Sequence, residues 1–313
     1  MKLSKRLAGV GIGLAALLLT AACGGGSNPL AEGSGSPSAG GSASGSSGPI
    51  VVGSAGFEES QIIAELYAQA MKAKGLDVST KHAIGAREVY IKALQDKSIS
   101  VVPEYTGNLL LYFDKNATAS TAEEVEAALP KALPSDLKVL NKSAAVDQDV
   151  YVVTKDTSTK NGITSIPDLS KIASSSTLGG PSELEDRPYG PTGLEKVYGV
   201  KFKAFQPYDK LPVKVADLNA GKIQVATFFT TDSAIADNGY VKLEDPKSLI
   251  LPQNVVPLVR SEVASNQTAV DAMNAVQAAL TTDDLVALDK AVIDDHQDPD
   301  QVAGDWLKQK GLA

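Results

Sequence analysis

Past residue 49 the chain is predicted to fold as an α/β protein of two lobes, and three observations carry that prediction. Short apolar runs closed by glycine, of which Ile50-Val51-Val52-Gly53 is the first, alternate with longer segments whose apolar residues recur every three or four positions. Strands separated by helices, rather than grouped together, imply parallel sheets with helices laid on their faces. The chain has 313 residues, 43% of them hydrophobic, at a mean hydropathy of −0.03, and the part after residue 49 is larger than one ordinary core.

Residues 50–53 read as a buried strand. Residues 59–74 follow as an amphipathic helix, with Ile62, Ile63, Leu66, Tyr67, Ala70 and Met71 on one face and Gly75 closing it. A strand is expected over 78–83 and a helix over 86–95, with Val89, Tyr90 and Leu94 inward. A strand at 100–102 leads through Tyr105-Thr106-Gly107 into an apolar helix at 109–113. In the middle of the chain, strands are expected at 150–153, 177–179 and 223–229, with helices at 166–172, 193–198 and 215–220. Residues 255–259 form a strand that Pro257 assigns to an edge or a bulge. Helices over 268–280, 283–293 and 298–309 complete the series. Open sheets of this kind bind ligands at the carboxyl ends of their strands, which singles out the loops 54–57, 104–106 and 228–232.

Ahead of this body, Lys2, Lys5 and Arg6 precede an apolar run over residues 7–19, and Thr20, Ala21 and Ala22 lead to Cys23. These are the basic, apolar and small-residue regions of a secretory signal. The run, about 13 residues long, falls short of the roughly 20 that a spanning helix needs. Cys23, the single cysteine of the sequence, sits in a context that resembles a bacterial lipobox; the resemblance implies a signal peptide over residues 1–22 and lipidation of Cys23. A lone exposed thiol is a liability in an oxidising compartment, and lipidation consumes it. Residues 24–49 hold nine glycines and eight serines, a composition with nothing to bury. With Cys23 they are expected to form a disordered leash over 23–49, with a root-mean-square reach of about 28 Å.

Charge and chemistry narrow the function. The net charge is −8, from 29 Lys and Arg against 37 Asp and Glu, without a dense basic stripe, so the body repels phosphate backbones and nucleic-acid binding is excluded. One cysteine excludes a disulfide framework, and two histidines, His82 and His296, leave no HExxH. His296 lies among Asp294, Asp295, Asp298 and Asp300, which read as a solvated acidic surface rather than a divalent-ion site. The sequence has no GxSxG and no P-loop pattern, so the chain is not read as an enzyme, and no cofactor is expected.

Several motifs occur in a familiar order. Gly53-Ser54-Ala55-Gly56-Phe57-Glu58-Glu59 with Ala68-Gln69-Ala70, then Gly85-Ala86-Arg87-Glu88-Val89, then Pro103-Glu104-Tyr105-Thr106-Gly107 with Leu109-Leu110-Leu111-Tyr112, open the body. Val150-Tyr151, residues 183–193 with Lys196-Val197-Tyr198-Gly199, Phe229-Thr230-Thr231-Asp232 and Leu243-Glu244-Asp245 continue it. This series resembles the osmoprotectant (glycine betaine, carnitine, choline) substrate-binding proteins of ABC transporters, over residues 50–312. The resemblance implies a two-lobed periplasmic-binding-protein fold of type II that closes on a small solute and presents it to permease subunits. It further implies a monomer acting outside the cytoplasm, anchored to the membrane by its lipid. Lobe 1 is expected to comprise residues 50–145 and 246–313, and lobe 2 residues 146–245.

The family's device is an aromatic cage, because a quaternary ammonium donates no hydrogen bond and is held by ring faces, each contributing roughly 0.5–2 kcal/mol. Carried over residue by residue, the resemblance assigns Tyr105, Tyr151 and Phe229 to the cage, with Thr106 and Thr231 beside them. Arg187 corresponds to the arginine that reads a ligand carboxylate, a bidentate task suited to a guanidinium. Two positions depart from the family: Ala55 stands where a lysine often helps hold the carboxylate, and Val215 where a fourth ring is usual, with Tyr208 nearby. These departures accommodate choline, a bulkier betaine or a small molecule that is not a quaternary ammonium. An envelope scaffold that has lost its ligand also remains open.

Overall fold

The computed structural model describes residues 48–313; the expected signal peptide, Cys23 and the leash up to residue 47 lie outside the described residues. From Ile50 the chain forms β1 (Ile50–Gly53), α1 (Glu58–Ala73), β2 (Val78–Lys81), α2 (Arg87–Gln95), β3 (Val101–Tyr105), α3 (Thr106–Phe113), α4 (Ala122–Ala132) and β4 (Leu137–Val139). It then crosses into a second sheet through β5 (Asp149–Val153), α5 (Lys155–Asn161), β6 (Thr177–Gly180), α6 (Pro191–Tyr198), β7 (Ala204–Pro207), α7 (Leu211–Asn219), β8 (Val225–Phe229), α8 (Ser233–Asp237) and β9 (Val241–Lys242). A second crossing returns it to the first sheet at β10 (Val255–Arg260), followed by α9 (Ser261–Ala264), α10 (Gln267–Ala279), α11 (Thr282–Asp289) and α12 (Pro299–Lys310).

The strand orders are β2-β1-β3-β10-β4 and β7-β6-β8-β5-β9. Within each sheet the strands linked by helical crossovers are parallel: β1 with β2 and β3, and β6 with β7 and β8. Both sheets are nevertheless mixed, where the sequence pattern had implied parallel ones. β5 and β10 are the strands by which the chain enters a lobe from the other one, so each starts at the crossing side and runs against its neighbours.

Amphipathic patterning explains the core. All six apolar positions expected on the inner face of α1 are buried, and they pack against α10, α11 and α12 over β1, β3 and β10. Glu58 and Glu59 fill the first turn of α1, where carboxylates suit the helix dipole. On α2, Tyr90, Ile91 and Leu94 face inward, but Val89, expected inward, is 51% exposed. Pro257 is a second correction, since β10 lies in the interior of its sheet, between β3 and β4, not at an edge. Its register partner on β3 is Pro103, and its carbonyl accepts from the Leu140 amide just past β4. The N–H it lacks would point the same way, toward the end of the three-residue β4, where little ladder is lost.

Candidate functional site

The carboxyl ends of three strands meet where the lobes face each other. Phe57 lies on the loop between β1 and α1, Tyr105 is the last residue of β3, and Phe229 is the last residue of β8. The Phe57 ring centroid stands 6.2 Å from that of Tyr105 and 5.5 Å from that of Phe229, so rings from both sheets share one neighbour. On β8 the side chains alternate: Phe228 turns to the other face and packs with Tyr240 and Ile235, whereas Phe229 faces Phe57. Val215 and Tyr208 belong to the Phe228 side, and the Tyr208 hydroxyl donates to Asp217.

The Glu104-Tyr105-Thr106-Gly107 element is fixed residue by residue. Glu104, fully buried, receives both arms of the Arg87 guanidinium at 2.8 and 2.9 Å, the Tyr90 hydroxyl at 2.8 Å and the Tyr105 amide at 3.1 Å. Four donors and one cation leave that carboxylate satisfied. The Tyr105 hydroxyl donates to Glu59. Thr106 donates its hydroxyl to the Pro252 carbonyl and accepts from the Asn254 amide, which ties the start of α3 to the second crossing. At Gly107 a Cβ would meet the Pro252 carbonyl at 2.7 Å and Leu251 Cβ at 2.6 Å; only glycine lets that crossing lie so close.

From the second sheet, Tyr151 lies on the same face as Phe229, one layer deeper, because Asp149 pairs with Phe229 and Tyr151 with Thr227. It is fully buried, and its hydroxyl donates to the Tyr189 carbonyl. Asp149 accepts from Asn108 of α3 at 2.9 Å, a direct bridge between the sheets. Burial raises its carboxyl above the usual range, against the hydrogen bond from Asn108 and the charge of Arg87. Arg187 forks onto Glu88 at the start of α2, also across the seam. Lys214 donates to the Thr227 carbonyl at 2.7 Å and lies 4.3 Å from the Phe228 centroid; burial lowers its amine, while Asp232 and Asp149 pull it back up. Ala55 is buried, with its amide donated to Ser60.

Thr231 opens onto a group the sequence did not reveal. Its hydroxyl donates to Glu59 Oε2 at 3.0 Å and its amide to Asp147 Oδ1 at 3.3 Å, and the Thr230 hydroxyl reaches the same Asp147 oxygen at 3.2 Å. Asp289, at the end of α11, is the charged neighbour that acts most strongly on Glu59. Burial, and then the neighbouring Asp289, hold the Glu59 carboxyl well above the ordinary range. Burial likewise raises Asp147, with Glu59 adding to it, and pushes Asp289 up to about 7. Asp232 caps a turn rather than its helix, accepting from the Phe229 amide at 2.9 Å. Among the expected residues, then, Tyr105, Phe229 and Thr231 gather around Phe57 and Glu59. Tyr151, Arg187 and Thr106 flank them with their polar atoms engaged by protein partners. Phe57 carried a readable signal, its place at a strand's carboxyl end; Glu59, Asp147 and Asp289 are too far apart in sequence to announce themselves together.

Among the described residues no group of His, Cys, Asp and Glu is placed to hold a metal ion, and no helix is long and apolar enough to cross a membrane. Two mixed sheets joined by two crossings, with the site in the seam, define a type II periplasmic-binding-protein fold. A solved glycine betaine/carnitine/choline ABC transporter protein superposes with a TM-score of 0.67 at 21% identity, covering 84% of this chain and 99% of its own. Lactococcal OpuAC, in its closed conformation with glycine betaine, gives 0.63 at 18% identity, covering 84% and 97%. In sequence, the glycine betaine-binding protein YehZ of Escherichia coli is 26% identical over 267 residues, 81% of this chain and 88% of YehZ. Residues 48–309 match the family described as the substrate binding domain of ABC-type glycine betaine transport systems, and the chain belongs to that family. It is a binding protein, not an enzyme.

Proposed function

We propose that this protein captures a quaternary-ammonium solute, such as glycine betaine or choline, outside the cytoplasm and delivers it to the permease of an ABC importer. The observation that carries the reading is the meeting of Phe57, Tyr105 and Phe229 from both sheets at the carboxyl ends of their strands. Ring faces there attract a methylated cation that no hydrogen-bond acceptor is needed to hold. Tyr151 supports the Phe229 side from one layer below, Thr106 fixes the lobe 1 wall to the second crossing, and Thr231 makes the contact between lobes. Arg187 reads a ligand carboxylate where one is present, by exchanging Glu88 for it. Lipidation at Cys23 and a monomeric, membrane-tethered receptor belong to the same reading.

The test is titration calorimetry with glycine betaine, carnitine, choline, ectoine and proline betaine. A quaternary ammonium that binds, and binds about tenfold more weakly to Phe57→Ala, supports the cage. Binding of ectoine alone, or of none of the five, overturns it. Arg187→Ala is expected to weaken glycine betaine more than choline.

A further inference from the structure

We propose that Glu88 sets the specificity of the cleft by occupying the Arg187 fork as a built-in rival of a ligand carboxylate. It thereby shifts preference from zwitterions such as glycine betaine toward cations without a carboxylate, such as choline, a bias that rests on Arg187 reading the ligand carboxylate in the proposed cage.

Two arginines stand near the ring seam, each forked onto one glutamate, and they differ in whether that glutamate can be replaced. Arg87 holds Glu104 within lobe 1, with side-chain exposures of 9% and 0%. Glu104 also receives the Tyr90 hydroxyl and the Tyr105 amide, so its departure would strand buried donors and a buried cation. Arg187 holds Glu88 across the seam, Nη1 donating to Oε1 at 2.5 Å and Nη2 to Oε2 at 3.2 Å, with exposures of 12% and 53%. Here the guanidinium is enclosed and the carboxylate is half in water. Glu88 lies in the first turn of α2, where the helix dipole still favours its charge after it lets go. What it leaves behind is a pair of parallel donors shaped for another carboxylate.

Arg187 is tied to both walls of the seam. Two residues beyond it, the Tyr189 carbonyl accepts from Tyr151, which shares a sheet face with Phe229. On the other side, Glu88 follows Arg87, whose partner Glu104 precedes Tyr105. The hydrogen bond from Arg187 holds the Glu88 carboxyl below its ordinary value, so the rival is an anion at neutral pH. The neighbouring positions offer a ligand carboxylate little else. Ala55 is a buried methyl, Arg87 is committed to Glu104, and Lys214 is turned to the Thr227 carbonyl and the Phe228 ring. A zwitterion therefore exchanges one carboxylate on Arg187 for another and breaks the fork between the lobes. A cation without a carboxylate leaves that fork made while the lobes close over it.

Calorimetric titration of choline and glycine betaine into the wild type, Glu88→Ala, Arg187→Ala and the double variant tests the assignment, with the ratio of the two Kd values as the readout. Glu88→Ala is expected to tighten glycine betaine without tightening choline, moving the ratio toward betaine by about fivefold, the upper range for a partly exposed ion pair. That shift is expected to vanish where Arg187 is also replaced, because the ligand carboxylate then has no fork to win. Should Glu88→Ala fail to fold, Glu88→Gln is read in the same way. A ratio unchanged in the Glu88 variant, or a shift that persists without Arg187, overturns the role of Glu88 and leaves the cage standing. Binding of neither solute by the wild type overturns the cage reading, and the role of Glu88 with it.

Discussion

Lobe 1 buries two glutamates beside the same tyrosine and stabilises them in opposite ways. Glu104 faces a guanidinium, a phenol and a backbone amide, so its charge is matched within the fold. Glu59 faces another carboxyl and receives only hydroxyls, one of them from the far lobe. The first carboxyl has its charge matched inside one lobe; the second is held above the ordinary range by burial and an acidic neighbour, and takes one of its donors from the other lobe. A matched charge therefore fixes one end of the Tyr105 strand within its lobe, whereas the unmatched one draws a donor across the seam.

Removing Arg87 should do the most damage to this contrast. Arg87→Ala leaves Glu104 charged and enclosed and is expected to lower folding stability by about 3–5 kcal/mol, measured by urea unfolding; a loss below about 1 kcal/mol would mean that Glu104 does not depend on its partner. Next comes Asp289→Asn. Because burial raises the Asp289 carboxyl from 3.8 to about 7, folding takes up a proton there. The stability gained is complete below the ordinary carboxylate range and is lost as pH rises to about 7. At about pH 8 the variant should exceed the wild type by up to about 4 kcal/mol, with the gap closing toward pH 4.

A third prediction moves to the aromatic seam. Phe229→Ala should weaken choline binding by roughly tenfold or more in calorimetry. Phe228→Ala, on the opposite face of the same strand, should instead cost folding stability. Equal effects on binding would merge the two faces. The smallest effect belongs to Glu88→Gln. The Glu88 side chain is 53% exposed, so its pairing with Arg187 should contribute less than about 1 kcal/mol to unfolding. That contribution should fade in high salt.

Patterning made the long amphipathic elements legible. The inner face of α1 reads directly from Ile62 to Met71, and the three loops at strand ends that were singled out do carry Phe57, Tyr105 and Phe229. Elements with a sparse apolar stripe, or none, escape the pattern: α4 buries only Val125 and Leu129 and is announced instead by its Thr121/Glu124 capping box, which the pattern does not read. α5, with the sequence KDTSTKN, owes its boundaries to a Thr154 cap and a left-handed Gly162, and β7 is a largely exposed strand of four residues. Strand direction was not readable either, because periodicity reports which faces are buried and not from which side the chain re-enters a sheet. The acid cluster was least visible: Glu59, Asp147 and Asp289 meet only because two crossings fold three distant segments together.

Tyr105 is anchored at both ends, by its amide to Glu104 and by its phenol to Glu59. A side chain that is mobile before a guest arrives gives up about 0.5–1.5 kcal/mol of rotamer freedom on being immobilised. This ring has little such freedom left to surrender, so on the proposed reading an arriving solute meets a surface already set in place. The reorganisation that remains falls to the domain motion, and capture rates should track how often the halves come together rather than how quickly the ring can turn.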